Sequence, residues 1–284
     1  MSRPFLSNDV PDLVREIGNE FATHGVDEAV LKAELLVGHV IGVRRLALHL
    51  DRNRLLDESA LKRVAEGAAR IVAGEPLQYV LGETEFLGFV FKTDRRALIP
   101  RPETEELVQA VLACEELWHG FPRIADVGTG SGCIVISLAI MRPEGQYMAT
   151  DISADALALA RENARRLPIS FEQTNLLAGA ESESLDAVVS NPPYVATATI
   201  ADLDRCIREH EPVSALDGGP VGTEIIARLA GEAARALKPG GWIFLEIGED
   251  QGKAVRAILR DAGFHKINVA RDLSGHERIA SAVK

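Results

Sequence analysis

Five consecutive residues, Ser190-Asn191-Pro192-Pro193-Tyr194, follow an apolar run, LDAVV, that predicts a buried strand. A residue before a proline is confined to extended conformations, and each proline fixes its own φ angle, so this loop is rigid. The side-chain oxygen of Asn191 and the backbone carbonyl of Pro192 can each accept one N–H bond from an –NH2 group. Such a pair would orient a weakly nucleophilic nitrogen toward an electrophile, and Tyr194 would cover a planar target group. The structural alternative is a stiff proline turn with a buried tyrosine.

A glycine-rich stretch, DVGTGSGC, follows the first predicted strand of a sheet and precedes a helix. Its ligand-facing candidates are Gly128, Thr129, Gly130, Ser131 and Gly132. Glycines let the backbone turn sharply and let a ligand lie against it. The spacing is G-x-G-x-G, and the third glycine of the dinucleotide fingerprint would fall at Cys133. The sequence also has no G-x-x-x-x-G-K-[ST] phosphate loop, so a ligand without a pyrophosphate is favoured. The alternative, a purely structural strand–helix turn, is disfavoured by the three alternating glycines.

An acid, Asp151, ends the second predicted strand of the same sheet. A carboxylate at this place can accept hydrogen bonds from both hydroxyls of a ribose. S-adenosylmethionine is a nucleoside ligand of this kind, and its sulfonium methyl is an activated electrophile. The three motifs together predict methyl transfer from this cofactor to a nitrogen, with no strong base required before attack.

The elements that must position these residues begin near residue 121. Short apolar strands alternate with helices from RIADVG onward, which predicts a mostly parallel, doubly wound sheet. Asn191 ends the fourth strand, which lies beside the first in such a sheet. The glycine loop and Asn191 should therefore meet at one edge, where open α/β sheets bind their ligands. A helix over GTEIIARLAGEAARALKPGG is expected to close at its Pro-Gly-Gly, and the tail reads as a hairpin.

The first part of the chain reads differently. Residues 9–73 predict three or four short helices, with Asp57 as a cap, and TEFLGFVFKTD predicts a two-stranded ribbon around Gly88. Pro102 and Glu103 suit the first turn of a further helix. We expect a helical domain at 1–75, a hairpin linker at 76–98 and a cofactor-binding domain at 99–284. The helices suit a structural cap and a partner-recognition module equally well.

Composition narrows the possible partners. The 284 residues carry a net charge of −11, which argues against a dominant phosphate-backbone partner. The sequence contains neither an apolar run of the ~20 residues that a membrane helix needs nor a signal-peptide pattern. Cys114, Cys133 and Cys206 lie far apart and form no ligand-spaced cluster with the histidines, so we expect no metal and a cytoplasmic location. We expect a monomer.

Four further segments carry a resemblance to a known family. They are GEPLQYVLGETEFLGFVFKTDRRALIPRPETEELV at 74–108, DVGTGSGCIVISLA at 126–139, EHEPVSALDGGPVGTEII at 209–226 and LKPGGWIFLEIGEDQG at 237–252. With the NPPY tetrapeptide, they resemble the HemK-type protein-glutamine methyltransferases, which methylate class-1 peptide chain release factors. The resemblance extends from about residue 20 nearly to the end of the chain.

The resemblance implies a helical N-terminal domain, a hairpin linker and a seven-stranded methyltransferase sheet whose last strand is antiparallel. It implies that Asn191 to Tyr194 grip the side-chain amide of the glutamine in the release factors' Gly-Gly-Gln loop, with Asn191 also close to the cofactor methyl. The glycine loop would lie against the methionine part of the cofactor, and Asp151 would hold the ribose. The segment from Pro100 to Glu103 would help close the pocket, although a surface salt bridge remains a second interpretation of Arg101.

One position departs from the family pattern. Relatives often carry an acid followed by an aromatic residue at the end of the third strand, near the adenine, where this chain has Asn175-Leu176. Asn175 can still hydrogen-bond adenine, and Leu176 can cover the base without stacking as an aromatic ring would. We expect this change to affect cofactor affinity more than activity.

Other functions fit these residues less well. A nucleic-acid amino-methyltransferase acting on adenine or guanine shares the NPPY motif, but it should show basic patches or a target-recognition domain. A non-catalytic binding module should show degraded glycines or a lost Asn191. A dinucleotide oxidoreductase is disfavoured by Cys133 and by the NPPY loop.

Overall fold

The computed structural model describes residues 7–50 and 54–284. The chain divides into two compact units, one reaching to Glu83 together with Arg205–His210, the other comprising Thr84–Asp204 and Glu211–Lys284. The division expected above, at 1–75, 76–98 and 99–284, stays a prediction. Within the described ranges, none of the helices combines the length and the apolar character needed to cross a bilayer.

In chain order, the helices are α1 (Val10–Thr23), α2 (Ala29–Ile41), α3 (Arg45–Leu48), α4 (Glu58–Val72), α5 (Leu77–Leu81), α6 (Pro102–Leu112), α7 (Cys133–Met141), α8 (Ala154–Ala164), α9 (Arg205–His210), α10 (Glu224–Ala236) and α11 (Gly252–Asp261). The strands are β1 (Glu83–Phe86), β2 (Phe89–Lys92), β3 (Arg123–Val127), β4 (Gln146–Asp151), β5 (Ile169–Gln173), β6 (Leu185–Ser190), β7 (Leu237–Glu246), β8 (His265–Arg271) and β9 (Glu277–Val283). Short 3₁₀ turns lie at Glu115–Trp118, Thr197–Asp202 and Val213–Ala215.

The longer helices of the first unit, among them α1 and α4, carry an apolar stripe at helical spacing. Leu13, Ile17 and Phe21 of α1 and Val64 of α4 are fully buried in one cluster. The predicted cap of α4 is confirmed, since the Asp57 side chain accepts a 2.7 Å hydrogen bond from the Ala60 backbone N–H. The predicted helical character of residues 9–73 is confirmed within the described part of that range.

A seven-stranded sheet organises the second unit, with the order β5-β4-β3-β6-β7-β9-β8. The first five strands in this order pair in parallel, and β9 runs antiparallel between β7 and β8. The chain proceeds outward from β3 to β5 and then returns to place β6 on the other side of β3. This reversal opens a crevice at the carboxyl ends of β3 and β6, where ligands bind in such folds.

Helices cover both faces of this sheet because its strands are apolar on both sides. In β6, Ala187 and Val189 pack in the cluster with α6 and α7, whereas the intervening Val188 packs in the cluster with α10 and α11. Successive side chains of a strand point to opposite faces, so a continuous apolar run buries both. The predicted doubly wound, mostly parallel class is confirmed.

The hairpin forms as predicted, whereas one helix ends earlier than predicted. The ribbon around Gly88 is confirmed, and its turn residues Leu87 and Gly88 both have positive φ, 49° and 77°. The expected closure of α10 at Pro-Gly-Gly was wrong, because α10 ends at Ala236 and Leu237 already begins β7. A proline at 239 disfavours helical backbone at Lys238, so the helix must stop before it. The short α5 after Pro76 was not predicted.

Candidate active site

A cavity of about 540 Å³ lies at the carboxyl ends of β3, β4 and β6, within the second unit. The Ser190 hydroxyl donates a 2.6 Å hydrogen bond to the Val127 carbonyl, which ties the end of β6 to the end of β3. Most of the predicted site residues line this cavity: Gly128, Thr129, Gly130, Ser131, Asp151, Asn175, Leu176, Asn191 and Pro193. The volume falls in the range of about 300–1,000 Å³ that is usual for small-molecule sites.

The glycine loop needs its residue type for backbone reasons. Gly128, Gly130 and Gly132 have φ angles of 72°, 55° and 83°, a region that side chains rarely adopt. A Cβ at Gly128 would meet no protein atom within 4 Å, so that glycine keeps open space along the cavity wall. A Cβ at Gly132 would instead lie 2.8 Å from Cδ1 of Ile136. The structure therefore leaves space beside Gly128 in the cavity wall, whereas Gly132 is closely packed against Ile136.

A buried acid, Asp126, lies beneath the loop. Its Oδ2 accepts hydrogen bonds from the Thr129 hydroxyl at 2.6 Å and from the Val135 N–H at 3.2 Å. Its Oδ1 has no hydrogen-bond partner among the described residues. Burial raises the pKa of Asp126 to about 7, although both hydrogen bonds oppose this shift and the nearby charge of Asp151 adds to it.

Asp151 is oriented by backbone groups at the end of β4. Its Oδ2 accepts from the Gly130 N–H and its Oδ1 from the Ser153 N–H, both at 2.9 Å. A carboxylate has about four acceptor positions, so one on each oxygen remains for a further donor. Two adjacent ribose hydroxyls are donors of this kind. The set of groups here therefore fits a nucleoside.

The Asn175-Leu176 pair also lines the cavity. The side-chain oxygen of Asn175 accepts a 3.1 Å hydrogen bond from the Arg228 guanidinium. This contact turns the Asn175 NH2 group away from Arg228 and leaves it as a donor, whereas an acid at this place could only accept. Leu176 has a φ of 54°, and its carbonyl accepts from the Thr150 hydroxyl at 3.1 Å.

The backbone of the NPPY loop is held by the segment at 216–222. A Cβ at Gly218 would lie 2.8 Å from the Pro193 carbonyl oxygen, and one at Gly222 would lie 2.5 Å from the Tyr194 carbonyl oxygen. The Gln251 amide donates 2.9 Å and 3.1 Å hydrogen bonds to the carbonyls of Tyr194 and Gly222. Gly218 and Gly222 of DGGPVG are therefore required by close backbone contact with the loop.

A chain of hydrogen bonds leads from Asn191 into the protein interior. The Asn191 Nδ2 donates to the Thr104 hydroxyl at 3.1 Å, and that hydroxyl donates to Oε2 of Glu246 at 2.6 Å. The Tyr194 hydroxyl donates to the other oxygen, Oε1, at 3.2 Å. Glu246 is only 1% exposed, and burial raises its pKa above the usual glutamate range.

One side of the cavity is built from two segments that are distant in sequence. The first includes Ile99 and Arg101, and the second, Pro212 to Ala215, follows Glu211 directly. The Arg101 guanidinium forms an ion pair with Glu211, whose side chain is 1% exposed. This contact favours the pocket-closing interpretation of Arg101 over an isolated surface salt bridge.

Three predicted site residues, all described by the structure, are not among those that line the cavity: Gly132, Pro192 and Tyr194. Gly132 begins α7, Pro192 is buried, and the Tyr194 hydroxyl is directed to Glu246. Their roles in binding stay predictions. Over the described ranges, no group of three or more His, Cys, Asp or Glu side chains is placed to hold a metal ion.

Two family models match the chain: the PrmC N-terminal domain at residues 12–82 and the methyltransferase small domain at residues 108–208. A release factor glutamine methyltransferase of Moorella thermoacetica is 41% identical over 268 residues, covering 93% of this chain and 94% of that protein. This chain belongs to the release factor glutamine methyltransferase family. Members from Bordetella pertussis (42% identical; 88% and 93% covered) and Bradyrhizobium diazoefficiens (36% identical; 100% and 98% covered) match at similar length.

The fold of the family is seen in a crystal structure of a methyltransferase from Pyrococcus furiosus. It aligns with a TM-score of 0.52 and 16% sequence identity, covering 80% of this chain and 98% of that chain. This likeness concerns the fold alone. It confirms the predicted methyltransferase sheet, and the family match confirms the predicted resemblance.

Sequence reasoning missed several residues that the structure connects to the cavity or to its predicted site residues. Thr104, Glu211 and Glu246 lie inside segments noted only as blocks of resemblance, and Asp126 begins the glycine motif without having been given a role. The signal available for Glu246 was its position as the one acid in an otherwise apolar strand pattern, WIFLEIG. An acid at the end of an otherwise apolar strand is costly unless it has partners.

Proposed function

We propose that the protein transfers a methyl group from S-adenosyl-L-methionine to the side-chain amide nitrogen of the glutamine in the Gly-Gly-Gln loop of class-1 peptide chain release factors. The observation that carries the proposal is that Asn191 and the glycine loop line one cavity. Relatives that bear the name release factor glutamine methyltransferase, at 36–42% identity over nearly the whole chain, support the substrate.

The residues that would hold the cofactor follow from the cavity. Gly128 to Ser131 would lie against its methionine part, Asp151 would accept the ribose hydroxyls, and Asn175 with Leu176 would face the adenine. When bound, the cofactor supplies a methyl group activated by the positive charge on sulfur. The apolar wall at Ile99 and Pro212 would exclude water from this methyl.

The protein's own contribution is orientation. Asn191 Oδ1 and the Pro192 carbonyl would each accept one N–H of the glutamine amide, a poor nucleophile whose lone pair is delocalised. Held in this way, the nitrogen would face the electrophile, and the two acceptors would stabilise the positive charge that develops as the N–C bond forms and the S–C bond breaks. S-adenosylhomocysteine would leave, and the nitrogen would then lose one proton. Both acceptors stand on a loop whose prolines and neighbouring glycines leave little freedom to lose on binding.

The proposal includes a cytoplasmic monomer that uses no metal. The net charge of −11 supports a protein substrate over a nucleic acid. Sedimentation of the purified protein at several concentrations would test the oligomeric state. Activity that survives exhaustive chelation would test the metal.

The experiment incubates the purified protein with methyl-labelled cofactor and a class-1 release factor. A second reaction contains the same factor with Gln→Ala in its Gly-Gly-Gln loop, and a third contains duplex DNA and RNA. We expect label in the first reaction only. Equal labelling of both release factors would contradict the assigned residue, and label in the third reaction would favour a nucleic-acid amino-methyltransferase.

A further inference from the structure

We propose that Glu246 is a positioning residue that, through the Thr104 hydroxyl, fixes which end of the Asn191 amide faces the substrate. The inference rests on the proposed function, because it is the oxygen of Asn191 that must meet the glutamine amide. Neither Glu246 nor Thr104 needs to touch the reacting atoms for this role.

The hydrogen bonds that connect Asn191, Thr104 and Glu246 have a single donor-to-acceptor direction. The Asn191 amide and the Thr104 hydroxyl are 3.1 Å apart, and the Thr104 hydroxyl and Glu246 Oε2 are 2.6 Å apart. The Thr104 side chain is 2% exposed and Glu246 is 1% exposed, so water does not compete for these positions. A hydroxyl has a single proton, and the one on Thr104 is committed to Glu246. Its lone pair is therefore left to accept from Asn191, which must present its NH2 group.

An asparagine amide has two nearly isosteric ends, so sterics alone would not choose between them. With Nδ2 held on Thr104, Oδ1 is directed away from Thr104 and is available to the substrate. A half-turn of the amide would place two N–H donors where the glutamine N–H donors must bind. The NH2 groups of Asn191 and of the substrate glutamine would then face each other, and neither would find an acceptor. Buried donors without an acceptor are costly.

The charge state of Glu246 decides whether the hydrogen bonds from Asn191 through Thr104 to Glu246 can all run in only one donor-to-acceptor direction. An ionised carboxylate only accepts, and here it accepts from Thr104 at one oxygen and from Tyr194 at the other. A protonated carboxyl can donate to the Thr104 hydroxyl, which then becomes free to donate to Asn191 Oδ1. Protonation of Glu246 therefore permits the reversed amide.

The surroundings of Glu246 contain opposing groups. Burial is the main cause that raises its pKa, and the negative charge of Glu103 on α6 adds to the rise. The hydrogen bonds from Thr104 and Tyr194 and the positive charge of Arg278 on β9 oppose it. The Cys133 thiol on α7 also faces this carboxylate. Since the ionised form is the active one, activity should fall as the pH drops through a midpoint above the ordinary glutamate range.

The test measures kcat and KM for a release factor across the pH range, with the whole protein. The acid limb of the pH profile is the fall in kcat toward low pH. In Glu246→Gln we expect this limb to vanish and kcat to fall roughly 5- to 150-fold, with KM nearly unchanged. Tyr194→Phe removes one donor and should move the limb to higher pH. Thr104→Val should lower kcat as Glu246→Gln does, and Thr104→Ser, which keeps the hydroxyl, should restore it. Glu105→Gln, on the same helix as Thr104, is the matched control, and its limb should stay in place.

A second readout does not depend on the substrate. In protein labelled with ¹⁵N only at asparagine, the Asn191 side-chain resonance, assigned by its loss in Asn191→Ala, should titrate with pH in the wild type. It should not titrate in Glu246→Gln. If the wild type methylates no release factor while this titration is seen, the proposed function fails and the positioning role stands.

The inference would be overturned by any of three results. These are an acid limb that persists in Glu246→Gln, as titration of Asp126 would produce, a Thr104→Val variant as active as Thr104→Ser, or an Asn191 resonance that ignores the Glu246 substitution. Should Glu246→Gln fail to fold, shown by lost binding of S-adenosylhomocysteine, the comparison of Thr104→Val with Thr104→Ser decides alone.

Discussion

Glu211 and Arg101, which stand 110 residues apart in sequence, form an ion pair at the rim of the cavity. The same carboxylate accepts a 3.3 Å hydrogen bond from the Ile99 backbone N–H. The side chain of Glu211 is 1% exposed and that of Arg101 is 31% exposed, so the acid depends on these two donors. The pair fastens the 96–101 segment to the segment that begins at Pro212, and both segments line the cavity.

Arg101→Ala should lower the free energy of unfolding by about 1–3 kcal/mol, because it leaves the Glu211 charge buried with one donor fewer. It should also weaken cofactor binding. Urea unfolding and titration calorimetry with S-adenosylhomocysteine measure the two effects. In the double variant Arg101→Ala/Glu211→Gln the loss should be smaller than the sum of the single losses, and simple additivity would contradict the coupling.

Alanine substitutions at Gly128 and Gly132, the two outer glycines of the glycine loop, should affect different properties of the protein. Gly132→Ala places a Cβ 2.8 Å from Ile136 Cδ1 and 3.2 Å from the Ala160 Cβ at a φ of 83°, so we expect a loss of about 1–3 kcal/mol in stability. Gly128→Ala meets no atom within 4 Å and should cost only the backbone strain of about 1–2 kcal/mol. Its Cβ points into ligand space, and it should lower cofactor affinity more than Gly132→Ala does. The reverse order in calorimetry would contradict this division of roles.

Asp126 predicts a slope of stability with pH. Its pKa rises from 3.8 to about 7 on folding, so the folded state holds the proton more tightly than the unfolded state. Stability contributed by this group is therefore present below about pH 4 and is lost as pH rises toward 7. Asp126→Asn has no proton to lose at this position. Between about pH 4 and 7, its free energy of unfolding should therefore rise relative to that of the wild type by up to about 1.4 kcal/mol per pH unit.

Urea unfolding at several pH values measures the difference between the two proteins. Asp261→Asn, at an exposed position of α11, is the control of the same chemical type. An Asp126→Asn difference that stays flat between pH 4 and 7 would contradict the assignment.

Asn191→Ala removes one of the two proposed acceptors of the substrate amide. We expect kcat to fall by at least roughly 5- to 150-fold, equivalent to about 1–3 kcal/mol of transition-state stabilisation. The unfolding midpoint should change little, since the Asn191 side chain is only partly buried and makes one hydrogen bond, to Thr104. A variant with wild-type kcat would remove Asn191 from the mechanism.

Much of the fold could be read from local patterns. Strands such as LDAVV and WIFLEIG are continuous apolar runs between polar breaks, and the periodic helices are strongly amphipathic. Where two local rules competed, the prediction failed. The helix was expected to run to Pro-Gly-Gly, but Leu237 instead pairs with Leu185 as the first residue of a strand. The five-residue α5 is too short to show a period.

The grouping of several candidate site residues around one cavity could be predicted from short local motifs. The glycine loop, Asp151 and Asn191 meet because each follows a strand of one parallel sheet. The supports of that site were beyond sequence reasoning, since Glu246 and Thr104 lie 142 residues apart and nothing local records their hydrogen bond. The requirement for Gly218 likewise depends on a backbone contact with Pro193 that only the folded chain reveals.

The position of the transferred methyl group tests the proposed function most directly. A class-1 release factor incubated with the protein and S-adenosylmethionine is digested and sequenced by tandem mass spectrometry. We expect a single added methyl on the side-chain nitrogen of the Gly-Gly-Gln glutamine, formed much more slowly when Asn191→Ala replaces the wild type. A methyl on any other residue, or an unmodified glutamine in a reaction where the cofactor has been consumed, would contradict it.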